Sequence, residues 1–478
     1  MISGERSFHI DDQTAFSRLS GDFNPLHVDV LAARRSLAGG AVVHGIHLLL
    51  WVLNAWCATR AGRGTLVSLD VDFLKPVRVG AKVRLSGTAD TAGANLTLHV
   101  GDLLATTIDL RVREGYASYK VAAGGPPCAA PFALDGAAIS NAEGKLPLML
   151  DLHLVSALAP ALVRFLPAHQ VAFMLATTRL VGMECPGLHS LYSELHFIQS
   201  VGAVEGEKCL AYRVKRFDKR FSLATILLTA PGLSGSIKAF LRPEPQGQPG
   251  CPEVLAALGA GVRSSQPFDG QRALVIGGSR GLGEVFAKVL AMGGAEVLLT
   301  YNHGEQDAAA IVADITANNG KAARLQYDVT SGQGASLAAF APTHLYYMAT
   351  PFIGSGQRDH FNAAAFERFC QYYVDGFAAT FAGVRHAGLA AVYYPSSVFL
   401  DVLPADMSEY ISAKGAGEAL CATLAKAFPG LRFACPRLPR MATDQSASIV
   451  PSTNQAVLPL VLAQVEQFIK ETQCSPPP

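Results

Sequence analysis

The sequence lacks the features that mark several large classes of protein. Its 39 basic and 38 acidic residues leave a formal charge of only +1, and it has no basic block interleaved with aromatic residues. Nothing in it therefore indicates a nucleic-acid-binding surface. Its nine cysteines are scattered, odd in number and free of any C-x-x-C pair. This pattern fits reduced thiols in a cytoplasmic protein and favours neither a disulfide framework nor a metal site.

The sequence also predicts neither a targeting segment nor a membrane-spanning segment. The N-terminal residues do not form a signal peptide. Residues 41–58 are strongly apolar, but His44, His47 and Asn54 interrupt them, and the stretch falls short of the roughly 20 apolar residues that a membrane-spanning helix needs. We therefore expect a buried helix here and no membrane insertion.

Two groups that can move a proton lie close together near the N-terminus. Asp22 and His27 are five residues apart and flank Asn24-Pro25. Proline fixes its own φ and keeps the preceding residue out of the helical region, which predicts a bent loop or a broken turn. Such a bend can aim both side chains into one cleft. The structural alternative is that Asp22 caps a helix and His27 is an ordinary polar residue.

A glycine pair then leads into Val43-His44-Gly45 and the apolar run. This predicts a helix start whose unpaired backbone amides, that of Gly45 among them, face the same cleft and suit a developing oxyanion. A carboxylate, an imidazole and such a donor are what the addition of water to an α,β-unsaturated thioester requires, or its removal.

The strings SGDFNPLHVD and GGAVVHGI closely resemble the MaoC-like (R)-specific enoyl-CoA hydratases. The resemblance covers about the first 110 residues and implies a hot-dog fold. In the family motif D-x-N-P-x-H it assigns catalysis to Asp22, Asn24 and His27, and it assigns the oxyanion amide to Gly45.

The pattern of strands supports a hot-dog fold independently of the motif. We expect a short first strand at 5–10. Alternating, β-branched runs follow the apolar helix, and a similar order of helix, Pro-Gly turn and strands recurs after residue 147 without the motif. We expect a degenerate second unit that supplies the wall of an acyl tunnel, with structural roles for His153, His169, His189 and His196. The predicted divisions are a catalytic hot-dog at 1–114, a linker at 115–146, a second hot-dog at 147–243, a linker at 244–269 and a third domain at 270–478.

The third domain begins with a β-α-β pattern, which implies a Rossmann-like, doubly wound parallel sheet. Between the first strand and helix lies a glycine turn whose backbone can approach a pyrophosphate; its candidate cofactor-binding residues are Gly277, Ser279, Arg280, Gly281, Leu282 and Gly283. The turn alone could be purely structural. Further along the chain, Tyr410 and Lys414 lie four residues apart on one predicted helix face, and Ser397 precedes them. A nearby lysine lowers the pKa of a tyrosine, which can then exchange a proton with a carbonyl oxygen.

Together these features resemble the short-chain dehydrogenase/reductases across about 270–450. The resemblance maps the catalytic serine, tyrosine and lysine onto Ser397, Tyr410 and Lys414, and it maps the adenine-contacting aspartate onto Asp328. The sequence departs from the family at three places. Tyr347 begins the segment that replaces the usual N-N-A-G, and Asp375 stands for the helix asparagine of the proton relay. Arg437 replaces the glycine of the usual Pro-Gly after the sixth strand. The second strand of the domain ends without an acidic residue, and Arg280 lies in the turn, so we expect NADPH rather than NADH.

These expectations combine into one hypothesis. The C-terminal domain would reduce a 3-oxoacyl thioester, and the N-terminal part would dehydrate the (R)-3-hydroxyacyl product to a trans-2-enoyl thioester, as in fatty-acid or polyketide-like biosynthesis. The acyl carrier is coenzyme A or a carrier protein, and the reductase domain favours self-association. The alternatives are the same sites used degradatively, or a dehydratase fused to a catalytically dead nucleotide- or acyl-binding module.

Overall fold

The computed structural model describes residues 1–115, 119–200, 208–331, 335–354, 356, 358, 360–386, 388–446 and 454–473. Of these, only the backbone is described for residues 260–265, 335–336 and 471–473. The described residues divide into two compact units, one of residues 1–244 and one that starts at residue 245. None of the helices that these residues form is long and apolar enough to cross a membrane.

The first unit combines long antiparallel strands with buried helices. Its strands are β1 (Ile2–Ser7), β2 (Gly64–Phe73), β3 (Lys82–Ala89), β4 (Gly93–Val100), β5 (Leu103–Glu114), β6 (Ala122–Ala123), β7 (Glu143–Pro147), β8 (Met149–Leu150), β9 (Ser190–Gln199), β10 (Cys209–Asp218), β11 (Leu223–Ala230) and β12 (Leu233–Leu241). Its helices are α1 (Ile10–Ser20), α2 (Pro25–Val28), α3 (Val30–Ala33), α4 (Gly45–Cys57), α5 (Gly136–Ser140), α6 (Leu152–Leu158), α7 (Pro160–Phe165) and α8 (Ala168–Arg179), which continues as a π-helical turn, Leu180–Glu184.

Ten of these strands form one continuous sheet, in the order β1-β3-β4-β5-β2-β9-β12-β11-β10-β7. Each half of the sheet follows a buried helix in the chain, α4 before β2–β5 and α8 before β9–β12. The halves are joined where β2 pairs antiparallel with β9, with Asp70 opposite His196. The apolar side chains of α4, α8 and both sets of strands share one core. This joint core brings residues of the second half close to those of the first.

The structure differs from the sequence expectations at two places in this unit. The run at 5–10 was expected to be a strand, but β1 ends at Ser7 and α1 follows, with Asp12 accepting a hydrogen bond from the backbone amide of His9 at its N-terminus. The linker expected at 115–146 holds α5 and the start of β7, which pairs with β10 as an edge strand. Residues 116–118 of that stretch lie outside the described residues.

The second unit alternates strands and helices. Its strands are β13 (Arg272–Ile276), β14 (Glu296–Tyr301), β15 (Lys321–Gln326), β16 (His344–Tyr347), β17 (Ala391–Tyr393), β18 (Ser396–Ser397), β19 (Arg432–Ala434) and β20 (Arg437–Leu438). Its helices are α9 (Cys251–Ser265), α10 (Gly281–Met292), α11 (Glu305–Ala317), α12 (Ala335–Ala338), α13 (Ala363–Cys370), α14 (Gly376–Val384), α15 (Phe399–Val402), α16 (Ser408–Ala427) and α17 (Val457–Gln473); a π-helical turn, Gln371–Asp375, joins α13 to α14, and Asp444–Ser446 form a 3₁₀ turn.

Six strands of this unit form a parallel sheet in the order β15-β14-β13-β16-β17-β19. The order reverses at β13, which is the switch point where doubly wound sheets bind ligands. The stretch 244–269, expected to be a linker, contains α9 instead. Cys251, Val254 and Leu258 of α9 are buried in the core with residues of α10 and α17. Its apolar side chains therefore belong to the domain core, although the Pro- and Gly-rich residues before it resemble a linker.

Candidate active sites

The D-x-N-P-x-H segment joins α1 to α2, and Asn24 holds it in place. The Oδ1 atom of Asn24 accepts a hydrogen bond from the amide of Leu26 and caps α2, whose first residue is Pro25. The Nδ2 atom donates to the carbonyl oxygens of Gly182 at 2.9 Å and Gly187 at 3.2 Å. With both ends of its amide bound to backbone, Asn24 positions the loop between its catalytic neighbours, which differs from the catalytic role assigned from the motif.

Asp22 is almost completely enclosed, at 1% exposure. Its Oδ2 atom accepts a hydrogen bond from the hydroxyl of Thr178 at 2.7 Å, and its Oδ1 atom accepts one from the amide of Asn24 at 3.2 Å. A Cβ atom on Gly182 would lie 2.2 Å from Oδ1, so the carboxyl group fits only because that residue is glycine. Burial raises the pKa of Asp22 to about 6, although both hydrogen bonds oppose the rise. The carboxyl group can therefore gain and lose a proton near neutral pH.

His27 presents one ring nitrogen for chemistry. Its Nδ1 atom lies 2.8 Å from the carbonyl oxygen of Val42. Because a carbonyl only accepts, Nδ1 carries the proton and the neutral ring keeps a lone pair on Nε2. Burial lowers the pKa of His27 to about 4, so the ring is neutral at pH 7.

The start of α4 lies against these two residues. The ring of His44 stacks on that of His27 with 3.7 Å between centroids, and nitrogen or oxygen atoms of Asp22, His27 and His44 all lie within 4.8 Å of one another. All three groups can carry a proton, and the sequence analysis assigned no role to His44.

Gly45 follows His44 as the first residue of α4. The amides of the first helical turn have no acceptor within the helix and carry partial positive charge. The ring of Phe73 comes within about 2.9 Å of where a Cβ atom of residue 45 would lie. The structure thus places the acid, the imidazole and the start of the helix together.

The second half of the unit contributes two residues that sequence reasoning missed. Thr178 lies at the end of α8 and Gly182 in the π-helical turn that follows, 156 and 160 residues after Asp22. Neither belongs to a motif, and only the shared core of the two halves brings them to the carboxyl group. His196 is exposed and pairs with Asp70, and His169 is buried beside the ring of Tyr119.

In the second unit the glycine turn connects β13 to α10. Gly277 and Gly281 have φ angles of +76° and +56°, which favour glycine, and a Cβ atom on Gly283 would lie 2.2 Å from the carbonyl oxygen of Gly277. This leaves a cradle at the N-terminus of a twelve-residue helix, where a phosphate group binds well. Ser279 is buried in the turn, and Leu282 packs on the core.

Arg280, expected to meet a 2′-phosphate, is already engaged. Its Nη1 atom lies 3.0 Å from Oδ2 of Asp444, a carboxylate that is 5% exposed. The Oδ1 atom of the same carboxylate lies about 3.9 Å from the position that a Cβ atom of Gly281 would take. An anion of the chain itself therefore lies beside the N-terminus of α10. Asp328, in the loop after β15, accepts hydrogen bonds from the amide and hydroxyl of Thr330.

The structure brings Ser397, Tyr410 and Lys414 together. Ser397 is hydrogen-bonded to Tyr410, and both side chains are buried. Burial nevertheless raises the pKa of Tyr410, which is opposite to the expected effect of Lys414. The Nζ atom of Lys414 donates to the carbonyl oxygen of Pro395 at 2.8 Å and lies 4.0 Å from the centroid of the Tyr373 ring. Burial lowers the pKa of Lys414 to about 8.

Tyr373, rather than Asp375, packs beside Tyr410. Both residues lie in the π-helical turn, but Asp375 is exposed, whereas the Tyr373 ring packs 5.8 Å from that of Tyr410 and its hydroxyl bonds that of Thr350. The π-helical turn directs the side chain of Tyr373 toward Tyr410 and that of Asp375 toward solvent. The assignment of Asp375 to the proton relay was therefore wrong.

The other two departures are structural. The hydroxyl of Tyr347 donates to the carbonyl oxygen of Tyr372 at 2.6 Å. Arg437 forms ion pairs with Glu418 and Asp401.

Comparison with known proteins identifies both parts of the chain. Residues 4–94 match the family model of a MaoC like domain, and residues 271–345 match that of a short chain dehydrogenase. An uncharacterised oxidoreductase of Methylorubrum extorquens is 32% identical over 166 residues, which make up 33% of this chain and 67% of that protein.

Two solved structures also resemble part of the chain. A short chain dehydrogenase from Burkholderia cenocepacia in complex with NADP is 23% identical, covers 44% of this chain and 94% of its own, and superposes with a TM-score of 0.38. A 3-oxoacyl (acyl-carrier-protein) reductase from Agrobacterium tumefaciens with NADP bound is 21% identical, covers 38% and 75%, and gives a TM-score of 0.35. By its family matches and its relative, the chain belongs to the short-chain dehydrogenases and carries a MaoC-like dehydratase domain at its N-terminus.

Proposed function

We propose that the chain is a bifunctional enzyme of thioester metabolism. Its C-terminal domain reduces a 3-oxoacyl thioester with NADPH to the (R)-3-hydroxyacyl thioester, and its N-terminal unit dehydrates that product to the trans-2-enoyl thioester. The observation that carries the proposal is the group formed by the Asp22 carboxyl, the free Nε2 of His27 and the start of α4. The repeated order of one buried helix and four strands further supports a double hot-dog whose second copy lacks the motif.

The dehydration follows from the protonation states of the site. At pH 7 Asp22 is ionised and His27 neutral, because their pKa values are about 6 and about 4. We assign removal of the C2 proton to Asp22, the stronger base, while the Gly45 amide donates to the thioester oxygen as the enolate forms. His27 Nε2 holds the 3-hydroxyl and relays the proton to it, so the C3–O bond breaks and water leaves. The proton taken from C2 thereby leaves in the water molecule, and the site regains its starting state.

The reductase site fits a nicotinamide cofactor at the glycine cradle, where side chains would block the backbone. Bound there, NADPH would supply a hydride to the substrate carbonyl carbon. Tyr410 would hand a proton to the carbonyl oxygen, Ser397 would hold that oxygen, and Asp328 would contact the adenine as the resemblance implies. Arg280 would reach a 2′-phosphate only after leaving Asp444.

The contact between Arg280 and Asp444 favours a second candidate function, in which the reductase domain binds a ligand but catalyses no reduction. The ammonium of Lys414 is held between a carbonyl oxygen and the ring of Tyr373, and that ring also packs against Tyr410. In this case the dehydratase would act alone.

A pair of assays on the full chain tests the proposal. We expect crotonyl thioester to be hydrated and NADPH to be oxidised when 3-oxoacyl thioester is added, with each thioester offered on coenzyme A and on a carrier protein. Absence of hydration would overturn the dehydratase proposal. Hydration without oxidation of NADPH or NADH would favour the second candidate.

A further inference from the structure

Both ring nitrogens of His44 face oxygen atoms. The Nδ1 atom lies 3.0 Å from Oε1 of Gln13, and the Nε2 atom lies 3.1 Å from the main-chain oxygen of Asp22. Oε1 of Gln13 also accepts the backbone N–H of His44 at 3.1 Å. This second bond fixes the amide orientation, because the rotated amide would direct its NH₂ group at that N–H.

A neutral imidazole cannot satisfy this arrangement. It carries one N–H, so either tautomer leaves a nitrogen lone pair opposite an oxygen at about 3 Å. A second ring proton turns both contacts into hydrogen bonds. The side chain of His44 is fully buried, where an unsatisfied polar contact is most costly.

Electrostatics opposes that second proton unless a negative group is near. Burial, followed by the neighbouring His27 and His47, lowers the pKa of His44. The groups around the ring are His27, stacked on it, His47 on the next turn of α4, and Asp22, whose Oδ2 atom lies 3.9 Å from Nε2. Farther out, Arg242 acts on His27, while Arg6 and Asp12 act on His47. The ionised carboxyl of Asp22 is thus the group that can balance a charge on His44.

We propose that His44 is a positioning residue of the dehydratase site, which carries a second ring proton while Asp22 is ionised and so keeps that carboxylate ready to accept a proton. The inference rests on the proposed dehydratase function and assigns to this site a residue outside the D-x-N-P-x-H motif. When Asp22 takes the C2 proton, His44 loses its counter-charge. The negative charge has by then moved to the enolate oxygen, so the site stays neutral while the proton passes from Asp22 through His27 to the leaving hydroxyl.

The first test needs no substrate. The full chain labelled with ¹⁵N-histidine is titrated by NMR, with His44 assigned from His44→Gln. We expect both ring nitrogens of His44 to be protonated at pH 7 in the wild type, and one of them to lose its proton in Asp22→Asn. A neutral His44 ring at pH 7 in the wild type would overturn the proposal.

The second test uses the pH dependence of enoyl-thioester hydration. The variant His44→Gln lacks the cation, so the pKa of Asp22 should rise. The acidic limb of the hydration profile should then move to higher pH by about one unit, since a neighbouring opposite charge shifts a carboxyl pKa by that order. Gln13→Glu should lower the limb, because a carboxylate at Oε1 stabilises the charged His44, and this effect should vanish when His44→Gln is also present. Folding of each variant is checked by thermal melting. The inference would be overturned if the acidic limb stayed at the same pH in both variants, or if the Gln13→Glu effect persisted without His44.

The two tests separate this inference from the proposed function. Doubly protonated His44 in a chain that hydrates no enoyl thioester would leave the ion pair standing and refute the dehydratase. Normal hydration with a neutral His44 would support the dehydratase function and refute the ion pair.

Discussion

The dehydratase and reductase sites both carry the residues of their families, yet their surroundings differ. Around Asp22 and His27, burial reverses the usual order of the two pKa values, raising that of Asp22 to about 6 and lowering that of His27 to about 4. Around Tyr410, burial moves the pKa away from neutrality, and Lys414 is bound to Pro395 and Tyr373. The first site is ready for proton transfer as it stands, whereas the second needs Lys414 and Arg280 to change partners.

The comparison teaches that a motif fixes which groups are present and their neighbours fix what those groups can do. In the dehydratase the decisive neighbours, Thr178 and Gly182, come from the second half of the first unit. In the reductase they come from the π-helical turn and from the buried carboxylate of Asp444. Four changes would break or sharpen this contrast.

The largest expected effect is that of Asp22→Asn. Removal of the group that accepts the C2 proton should reduce enoyl hydration by about 10²–10⁴-fold, the usual contribution of general acid–base catalysis. Oxidation of NADPH by 3-oxoacyl thioester should stay unchanged and serves as the internal control. Hydration within a few-fold of wild type would remove Asp22 from the mechanism.

Tyr410→Phe is expected to act in the opposite sense. Without the phenolic proton, reduction of the 3-oxoacyl thioester should fall by about 10²-fold or more, while hydration continues. The rate of NADPH loss measures the effect. If wild type and variant reduce equally slowly, Tyr410 takes no part in reduction and the contrast between the sites becomes absolute.

Thr178→Val should have an intermediate effect. The hydroxyl of Thr178 opposes the rise in the pKa of Asp22, so its loss should raise that pKa further above 6. Because the carboxylate is the active form, the acidic limb of the hydration profile should move up by about half to one pH unit. Thr178→Ser keeps the hydroxyl and should behave as wild type. A limb that stays in place would show that the second half only encloses the site.

The smallest effect is expected for Asp444→Ala. Removal of this carboxylate takes away one ion-pair partner of Arg280 and a negative charge beside the N-terminus of α10. It should therefore tighten NADPH binding about three- to tenfold, which corresponds to about 1 kcal/mol. Asp401→Ala, which removes an exposed partner of Arg437, is the matched control. Fluorescence titration measures both, and weaker binding in Asp444→Ala would assign the carboxylate a supporting role instead.

The sequence predicted most where local chemistry is strict. The glycines at 277 and 281 were found because their backbone conformations need them, and Asp22 and His27 were found because proline fixes the loop between them. Tyr373 was missed because a π-helical turn shifts which side chain faces inward by an amount that residue counting does not reveal. The helix α9 was missed because the Pro- and Gly-rich stretch before it resembles a linker.

The sequence by itself determined the two families and the order of their domains, and it predicted the residues that carry protons, since each depends on short-range spacing and on backbone restrictions. Only the tertiary structure decided the working state of those residues. Burial, the hydroxyl of a threonine 156 residues away and the carbonyl oxygen of Val42 set their protonation, and such contacts depend on how segments of the chain pack together.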